Sequence, residues 1–310
     1  MEYQESFARQ GFAVLPGFFN AETIDKALKQ VDAIKQEQLF DTVVDLLDTG
    51  ERTVLGLLRP DEVKTRRMKI NDLHLNLEGV RALALAERIV PVLNKLLAST
   101  PVLCNSLYFE KGSSQPMHVD SLFMTPRTPK HLIATWVALE DTHTDAGPLE
   151  YYPESHLIEP MKFSSGDYHF IQDEMPQWSS YMDDSVKQAR LEKVSFSAKK
   201  GDVFIWHANL LHGGGPIHNP DLTRKSLVFH FYSETDCRAA HSTLMPQAGA
   251  FWLKRPAQTL PENVIAKLPF VEAGYLARYP DVAQAVKAGA FTSGKAHYEA
   301  FGRSESRLPC

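Results

Sequence analysis

Several features that identify other classes of protein are scarce or missing in this 310-residue sequence. It has three scattered cysteines, too few for a disulfide framework and without the CxxC spacing of a zinc site. No run of about 18 apolar residues is present, so we predict no membrane span. The acidic, polar start lacks the basic and apolar regions of a signal peptide. The formal net charge of −5 gives no general basis for binding nucleic acids or anionic membranes. These absences favour a cytoplasmic protein.

Nucleotide-binding fingerprints are missing as well, because neither a G-x-G-x-x-G nor a Walker A pattern occurs. From residue 101 onward the chain instead contains short, strongly β-forming segments separated by turns rich in glycine and proline. Such a series predicts an all-β sandwich or barrel and not a βαβ sheet. The length fits one large domain of this type with an extension.

The first hundred residues predict helices that flank the β structure. An apolar strand over residues 11–19 is followed by Asn20, a good N-cap, and then by a helix over 21–36. The apolar stripe of this helix predicts that it packs against the outside of a sheet. A second helix is predicted over 77–98, with Pro91 kinking or splitting it.

Two long segments carry no regular pattern. Residues 37–77 are interpreted as a solvated loop, although their basic cluster offers an alternative, a wall that attracts an acidic substrate or cosubstrate. This cluster comprises Arg59, Lys64, Arg66, Arg67 and Lys69. Residues 157–190 form a long irregular insertion, and insertions of this length are typical of functional lids or of disorder. Their aromatic content favours a lid.

One short motif points to chemistry. His118 and Asp120 are two residues apart, so on an extended strand both side chains point to the same side. A third ligand would complete the two-His-one-carboxylate face with which non-haem iron activates oxygen. The same His-x-acid pattern occurs at residues 143–145, within a run of turn formers, and at residues 297–299. Because chance produces such triplets, the motif needs support from its context.

Four histidines compete for the third position, namely His207, His212, His218 and His230. His207 and His212 are five residues apart and would face opposite sides of a regular strand. We place His212 first, because it ends an apolar stretch and precedes three glycines that allow close approach of the backbone to a metal or ligand. His218 lies in a polar loop, and His230 lies deep in a strand, where a structural role is commoner.

Arg224 follows His212 by twelve residues and opens the last predicted strand. Its guanidinium is a planar fork of donors that fits a carboxylate, and Ser226 adds a hydroxyl to the same face. Taken alone, an arginine at the start of a strand is more often part of a surface ion pair. Its distance from His212 favours an anion clamp.

Taken together, these segments resemble the phytanoyl-CoA dioxygenase family of iron(II)- and 2-oxoglutarate-dependent oxygenases. The resemblance covers roughly residues 5–235. The motifs that carry it are Gly112-Ser-Ser-Gln-Pro-Met-His118-Val-Asp120, Trp136-Val-Ala-Leu-Glu-Asp141, Gly147-Pro-Leu149, Pro153-Glu-Ser-His156, Gly201-Asp202 and His212-Gly-Gly-Gly-Pro with Arg224-Lys-Ser226. Glu154 departs from the family, which more often has glycine in this turn. The implied fold is mainly β with flanking helices, a cupin-like double-stranded β-helix or jelly roll.

The resemblance also implies roles for individual residues. His118, Asp120 and His212 would hold Fe(II), and Arg224 would bind the far carboxylate of the cosubstrate 2-oxoglutarate. The further cosubstrate contacts are Trp136 and Tyr108, with Ser226 beside Arg224. The implied reaction uses O2, releases succinate and CO2, and hydroxylates an unactivated C–H bond of a small-molecule or lipid- or sugar-type metabolite. A carboxylate at position 120 disfavours halogenation, since halogenating members have a small residue there.

We expect two parts in the chain. Residues 1–255 would form the dioxygenase domain, including the N-terminal helices and the lid, and residues 256–310 a small helical appendage. Helices are predicted over 275–289 and 293–302. The appendage resembles a module found at the ends of bacterial enzymes, where it would serve packing or oligomerisation or, alternatively, docking of a partner or large substrate.

Two other functions stay open on the sequence alone. The first is a non-catalytic, metal- or sugar-binding jelly roll, since a fold does not establish chemistry. Arg224 argues against it, because a binding module has no need of a 2-oxoglutarate clamp. The second is a zinc hydrolase with the same three ligands, which predicts tight zinc binding and indifference to 2-oxoglutarate.

Overall fold

The computed structural model describes residues 2–305 and 307–310. The strands within these residues are β1 (Phe12–Leu15), β2 (Val43–Leu46), β3 (Arg52–Val54), β4 (Met68–Asn71), β5 (Pro101–Phe109), β6 (Leu132–Ala138), β7 (Leu149–Tyr151), β8 (Val194–Phe196), β9 (Val203–His207), β10 (His212–Gly214), β11 (Ser226–Ser233), β12 (Leu244–Gln247) and β13 (Ala250–Leu253). The α-helices are α1 (Glu2–Gln10), α2 (Ala21–Glu37), α3 (Pro60–Thr65), α4 (Glu78–Ala84), α5 (Val90–Leu97), α6 (Met175–Ala189), α7 (Glu234–Ala239), α8 (Glu262–Ile265), α9 (Glu272–Arg278), α10 (Pro280–Lys287) and α11 (Gly294–His297).

The larger sheet runs in the order β1-β9-β6-β11-β5-β4-β2-β3, and all neighbours on this path are antiparallel. The hairpin of β12 and β13 joins it through a parallel pairing with β5. The register aligns Ser226, Phe109, Lys69, Asp45 and Arg52 in one row across five neighbouring strands. Residues aligned in this way point to the same face of a sheet, so this row defines one side of the barrel.

The smaller sheet, in the order β10-β7-β8, packs against this same side of the larger one. Leu149 and Tyr151 of β7 share an apolar cluster with Trp136, Phe204 and Val228 of the larger sheet. Two packed sheets of this kind are what a jelly roll requires. The opposite face of the larger sheet buries a second core beneath the N-terminal helices.

The N-terminal helices follow the prediction in outline. Asn20 caps α2, its side-chain oxygen accepting from Thr23 N–H at 2.9 Å. The helix predicted over 77–98 is divided, because the chain leaves the helical conformation after Ala84 and resumes it at Val90. Pro91 lies in the first turn of the second helix, where its missing N–H leaves no hydrogen bond unmade.

The prediction that residues 37–77 form a loop is wrong, because they contain α3 and the three strands at one end of the larger sheet. These strands have only three or four residues, and charged residues occupy inward positions, which hides the apolar alternation that identifies a strand. The basic cluster is divided. Arg59 and Lys64 are exposed, Arg66 pairs with Asp48 at 2.9 Å, and Lys69 points toward the interior.

The insertion at 157–190 is more regular than predicted, since it contains the 15-residue helix α6. Trp178, Met182 and Val186 of α6 are buried against a cluster that includes Val119 and Leu122. These two residues flank Asp120. The insertion therefore covers the segment that carries the His-x-Asp motif, and its role as a lid stays a prediction.

The C-terminal residues pack onto the end of the larger sheet. Leu260, Val264 and Leu268 share an apolar cluster with Val43 of β2 and Val54 of β3. The helix predicted over 275–289 is divided into α9 and α10, and the segment predicted over 293–302 contains α11 followed by a π-helical turn, Tyr298–Gly302. A domain boundary near residue 255 stays a prediction. None of the described helices is both long and apolar enough to cross a lipid bilayer.

Candidate active site

His118 and His212 lie side by side because their backbones pair. Each N–H donates to the other residue's carbonyl, at 2.9 and 3.0 Å. Val119 is extended, with φ −118° and ψ 142°, and the chain then turns at Asp120 into a short 3₁₀ helix. The strand predicted for this motif is thus reduced to one bridge, but the extended residue between His118 and Asp120 brings both side chains to the same side.

The glycines after His212 make room for the segment that leads to His118. A Cβ on Gly213 would lie 2.8 Å from the carbonyl oxygen of Gln115, closer than real Cβ atoms approach. Gly214 N–H donates to that same oxygen at 2.9 Å. Close backbone approach is therefore the reason for glycine here, and the approaching group is protein backbone.

His118, Asp120 and His212 bring three ligand atoms within 4.8 Å of one another. The Nε2 atoms of the two histidines lie 3.8 and 3.7 Å from Oδ1 of Asp120. Their Nδ1 atoms donate to the carbonyl oxygens of Pro116 and Leu210, at 2.8 and 2.9 Å. Since a carbonyl only accepts, the proton is on Nδ1 and the Nε2 lone pair faces the centre. Among the described residues this is the one such group that could hold a metal ion.

Two residues of the larger sheet support Asp120 from behind. Trp206 donates from Nε1 to Oδ2 at 2.7 Å, and His230 Nε2 lies 3.5 Å from the same oxygen. His230 is held in turn by Asn105, whose Oδ1 is 3.2 Å from Nδ1. These contacts leave Oδ1 of Asp120 facing the two histidines. His230 was considered above only as a third ligand, with a structural role favoured for it, and Trp206 was not identified. Alternation along β11 puts His230 on the face of Ser226 and could have found it, whereas no sequence signal marks Trp206.

Burial sets the protonation states in the cluster. It lowers the pKa of His118 to about 3, with a further contribution from the adjacent His212 ring. Burial alone would raise the pKa of Asp120, but His212, His230 and His118 outweigh it and hold the pKa below its ordinary value. A neutral imidazole and an ionised carboxylate are the forms that bind metal ions.

Arg224 is buried, with 3% of its surface exposed, and is not part of a surface ion pair. Its Nη1 donates to the carbonyl of Gly147 at 2.9 Å, and the guanidinium lies 5.8 Å from the ring centre of Trp136. Its Nε has no hydrogen-bond partner in the part of the chain that the structure describes. Burial lowers its pKa to about 10, so it is charged at neutral pH. No carboxylate among the described residues forms an ion pair with it. Within residues 2–305 and 307–310, Trp136 Nε1 and Ser226 Oγ are also buried without a hydrogen-bond partner.

Tyr108 does not lie with these residues. Asn105, Leu107 and Phe109 of β5 line the cavity beside the metal cluster, whereas Tyr108 is buried in the core on the other side. Its hydroxyl donates to Glu110 at 2.5 Å, and burial together with that carboxylate raises its pKa. Its position does not fit the predicted cosubstrate contact, because β5 alternates and Tyr108 is on the wrong face.

The remaining histidine candidates lie elsewhere. His207 is buried away from the cluster, with its ring 6.1 Å from that of Phe7, because it follows Trp206 in β9 and points to the opposite face of the strand. His218 is exposed. His143 is also exposed, and His297 bonds to the hydroxyl of Tyr275 at 3.0 Å in the C-terminal part.

The cluster opens into a cavity of about 350 Å³ between the two sheets. Its lining combines the metal cluster and Arg224 with polar and apolar side chains from both sheets and from the C-terminal segment. These further residues are Arg52, Lys69, Asn71, Asn105, Leu107, Phe109, Ser113, Gln115, Phe123, Met124, Trp136, Leu149, Trp206, Gly213, Gly214, Val228, His230 and Gln258.

Known proteins share both this sequence pattern and this fold. The family profile described as phytanoyl-CoA dioxygenase (PhyH) matches residues 7–226. The chain is 25% identical to a probable alpha-ketoglutarate-dependent hypophosphite dioxygenase of Stutzerimonas stutzeri, over 73% of this chain and 77% of that protein. It is 22% identical to the peroxisomal phytanoyl-CoA dioxygenase of Rattus norvegicus, over 77% of this chain and 69% of that protein.

Among solved structures, the chain is similar to SnoN, a non-heme alpha-ketoglutarate-dependent epimerase from nogalamycin biosynthesis. The TM-score is 0.57 at 17% identity, over 82% of this chain and 98% of SnoN. At this identity the likeness concerns the fold, and it confirms the predicted jelly roll. Because the family profile matches well over half of the sequence, the chain belongs to the phytanoyl-CoA dioxygenase family of iron(II)- and 2-oxoglutarate-dependent oxygenases.

Proposed function

We propose that this protein is a dioxygenase that hydroxylates an unactivated C–H bond of a small-molecule substrate, with His118, Asp120 and His212 as ligands of Fe(II). The observation that carries the proposal is the convergence of three buried ligand atoms within 4.8 Å of one another. It is supported by Arg224, a buried cation in the same cavity that lacks a carboxylate partner among the described residues.

The donor set suits ferrous iron. Two imidazole nitrogens and one carboxylate oxygen are the protein donors typical of non-haem iron oxygenases, and three protein ligands would leave room for other ligands on the ion. Trp206 engages Oδ2 of Asp120 at 2.7 Å, so Oδ1 is the oxygen available to the metal. The carbonyls of Pro116 and Leu210 fix the imidazole rings, a second layer of contacts that typically strengthens metal binding.

The surroundings of Arg224 suit 2-oxoglutarate. A buried guanidinium without an anion is costly, and a carboxylate held by its fork would offset that cost. Trp136 Nε1 and Ser226 Oγ are unsatisfied in the same region and can donate to the same ligand. Iron and 2-oxoglutarate, when bound, would supply the oxidising chemistry in which O2 and 2-oxoglutarate give succinate and CO2 and the second oxygen atom of O2 enters the substrate C–H bond. The chain's own residues hold these groups, orient the substrate and exclude water.

Two observations bear on the type of reaction. Asp120 occupies one ligand position with a carboxylate, which favours hydroxylation over halogenation. The cavity of about 350 Å³ must also accept the cosubstrate, which favours a small substrate or one end of a larger one. The relatives are named for hypophosphite and for phytanoyl-CoA, so relatedness alone does not select the substrate.

The test is 2-oxoglutarate turnover by the full chain with iron(II), followed as succinate, with and without candidate substrates. Asp120→Ala and His212→Ala should abolish substrate-dependent succinate formation and weaken iron binding. His143→Ala is the matched control, because it removes a histidine from the same His-x-Asp pattern at an exposed position. Full activity in either ligand variant would refute the assignment.

The same experiment separates the rival functions. A zinc hydrolase would show zinc-dependent hydrolysis that is indifferent to 2-oxoglutarate. A binding module would retain the metal but convert no 2-oxoglutarate under any condition.

We also propose that residues 1–255 form the catalytic domain and residues 256–310 an appendage to it. The family profile ends at residue 226, before the appendage begins. The appendage supports the catalytic part, since Leu260 and Val264 pack on Val43 and Val54 of β2 and β3.

A further inference from the structure

Asn105, which contacts His230 beside the metal cluster, is itself held from its other end. Its Nδ2 donates to Oδ1 of Asp72 at 3.4 Å, while its Oδ1 lies 3.2 Å from Nδ1 of His230. Because a side-chain amide has one donor end and one acceptor end, the contact with Asp72 decides which end faces the histidine. An amide oxygen only accepts, so His230 donates from Nδ1 and its Nε2 is turned toward Asp120.

Asp72 is buried, with 2% of its side chain exposed, and Arg255 holds both of its oxygens. Nη2 of Arg255 donates to Oδ1 at 2.6 Å, and Nη1 donates to Oδ2 at 2.9 Å. A contact through two parallel hydrogen bonds fixes the plane of a carboxylate as well as its position. The oxygen that accepts from Asn105 is therefore fixed by Arg255.

A β-bulge in β5 brings Arg255 close to Asn105. His230 of β11 lies opposite Asn105, whereas the next residue of β11 lies opposite Leu103. Cys104 is thus left out of the pairing with β11, and its carbonyl accepts from Nε and Nη2 of Arg255, at 3.2 and 2.9 Å. The extra residue lets Asn105 face the cavity while Leu103 lies in the core beneath the N-terminal helices. Bulges beside active sites commonly redirect a side chain in this way.

Arg255 belongs to a part of the chain beyond the family profile, which ends at residue 226. It follows β13, which runs parallel to β5 with Trp252 opposite Leu103. The C-terminal part of the protein is thereby linked to a metal ligand through side chains in contact. In order from the metal, this path comprises Asp120, His230, Asn105, Asp72 and Arg255.

We propose that Arg255 is a positioning residue for the metal site. Through this path it keeps Oδ1 of Asp120 turned toward the two histidine ligands, and a ligand that is oriented beforehand loses less freedom when the metal binds. The proposal rests on the proposed function, because it concerns the same three ligands. The alternative is a role in the fold alone, in which Arg255 neutralises a buried carboxylate and satisfies the carbonyl of the bulge.

The experiment measures the affinity of the full chain for iron(II) under nitrogen, by competition with a chelator and without cosubstrate or substrate. Arg255→Met should weaken iron binding about three- to tenfold. This is at or below the lower end of the range for groups that contact a ligand directly, because three side chains separate Arg255 from Asp120. Arg255→Lys should lose less, since it keeps the charge but lacks the planar pair of donors.

A double-mutant cycle separates positioning from a general effect on the fold. His230→Phe keeps a ring at this place but breaks the path next to Asp120. In this background Arg255→Met should cause no further loss of iron affinity. Arg278→Met is the matched control, because Arg278 is another arginine of the C-terminal part and pairs with Asp41 at 3.8 Å, outside the path. It should leave iron affinity unchanged.

A second variant covers the case in which Arg255→Met does not fold because Asp72 is left buried without its cation. Asp72→Asn combined with Arg255→Met removes both charges and should show the same loss of iron affinity. Unchanged affinity in the folded Arg255 variants, or an equal loss with and without His230, would overturn the positioning role. An equally large loss in Arg278→Met would overturn it as well. Failure of the proposed function would look different, because the wild-type protein would then form no succinate from 2-oxoglutarate with iron(II).

Discussion

Residues 118–120 and residues 143–145 carry the same His-x-Asp pattern in contrasting surroundings. His118 and Asp120 are buried, and His212 completes a cluster with them. The side chains of His143 and Asp145 are 60% and 48% exposed, with Nδ1 of the histidine 3.7 Å from Oδ2 of the aspartate. His143 Nδ1 accepts from the backbone N–H of Asp145 at 3.1 Å, so a potential ligand atom is used inside the turn.

The difference teaches that spacing alone does not make a ligand site. At residues 118–120 the neighbours occupy the atoms that point outward: a carbonyl binds Nδ1 of His118, and Trp206 binds Oδ2 of Asp120. The atoms that point inward face one another across the cluster: Oδ1 of Asp120 lies 3.7 Å from Nε2 of His212, and Nε2 of His118 has the side-chain amide of Gln115 at 3.2 Å. At residues 143–145 the polar side-chain atoms are exposed to solvent or bonded within the local turn, which is the usual state of a short polar motif.

The largest expected effect tests whether a buried, unsatisfied group marks a ligand contact. Arg224→Met should weaken 2-oxoglutarate binding by roughly 30- to 1,000-fold, since a buried charge-assisted contact is lost. The 2-oxoglutarate affinity of Arg224→Lys should lie between those of the wild type and Arg224→Met, because lysine keeps the charge but lacks the planar pair of donors. Anaerobic calorimetry on the iron-loaded protein measures both affinities.

The stability of the ligand-free protein distinguishes this role from a structural one. Arg224 is buried without a carboxylate among the described residues, so replacing it with an apolar residue removes an unpaired charge and should cost little stability. Strong destabilisation together with unchanged 2-oxoglutarate affinity would show that the arginine serves the fold.

The candidate site could be predicted to the extent that it depends on local sequence. His118, Asp120, His212 and Arg224 stand next to turns or at strand starts, where spacing and residue type carry information. Trp206 could not be recognised in the same way, because the apolar strand around it looks like ordinary core, and alternation along β11 places His230 on the face of Ser226 without showing what it contacts. Their function follows from Asp120 lying against them, a contact between residues 86 positions apart for Trp206.

The fold was predictable where one face of an element is apolar and the pattern is long. It was missed at β2, β3 and β4, whose inward positions include Asp45, Lys69 and Arg52. A binding surface requires such polar residues, and they remove the alternation that marks a strand. The helix α6 was missed for a related reason, since its buried residues include only Trp178, Met182 and Val186 among many polar neighbours.

A smaller effect is expected when one of the contacts that distinguish residues 118–120 from residues 143–145 is removed. Trp206→Phe keeps the aromatic packing but removes the N–H that binds Oδ2 of Asp120. The carboxylate would then be less firmly oriented, and iron affinity should fall about 10- to 100-fold, the range typical of second-layer contacts. Competition with a chelator measures this affinity, and 2-oxoglutarate turnover at saturating iron should recover in part.

The control for this variant is Trp252→Phe, a tryptophan that packs against Arg81 on the far side of the larger sheet. It should leave iron affinity unchanged. Equal losses in both variants would indicate a general loosening of the barrel, and the orienting role of Trp206 would be refuted.

The last effect concerns burial itself and is measured as acid stability of the metal-free protein. His74 is fully buried, and desolvation, helped by Arg255 and Arg81, lowers its pKa to about 3 from an ordinary value of 6.5. Below pH 6.5 the unfolded chain binds a proton that the folded protein refuses until about pH 3, so the free energy of unfolding falls as the pH drops through this window. Between pH 7 and pH 5 this histidine should account for roughly 2 kcal/mol of the loss.

Urea unfolding of His74→Gln should show a correspondingly shallower pH dependence, whatever its stability at pH 7. The exposed His143→Gln should change the free energy of unfolding by less than about 0.5 kcal/mol at either pH. An unchanged slope in His74→Gln would mean that burial at this position does not suppress protonation, and the contrast between buried and exposed histidines would then have to rest on the metal cluster alone.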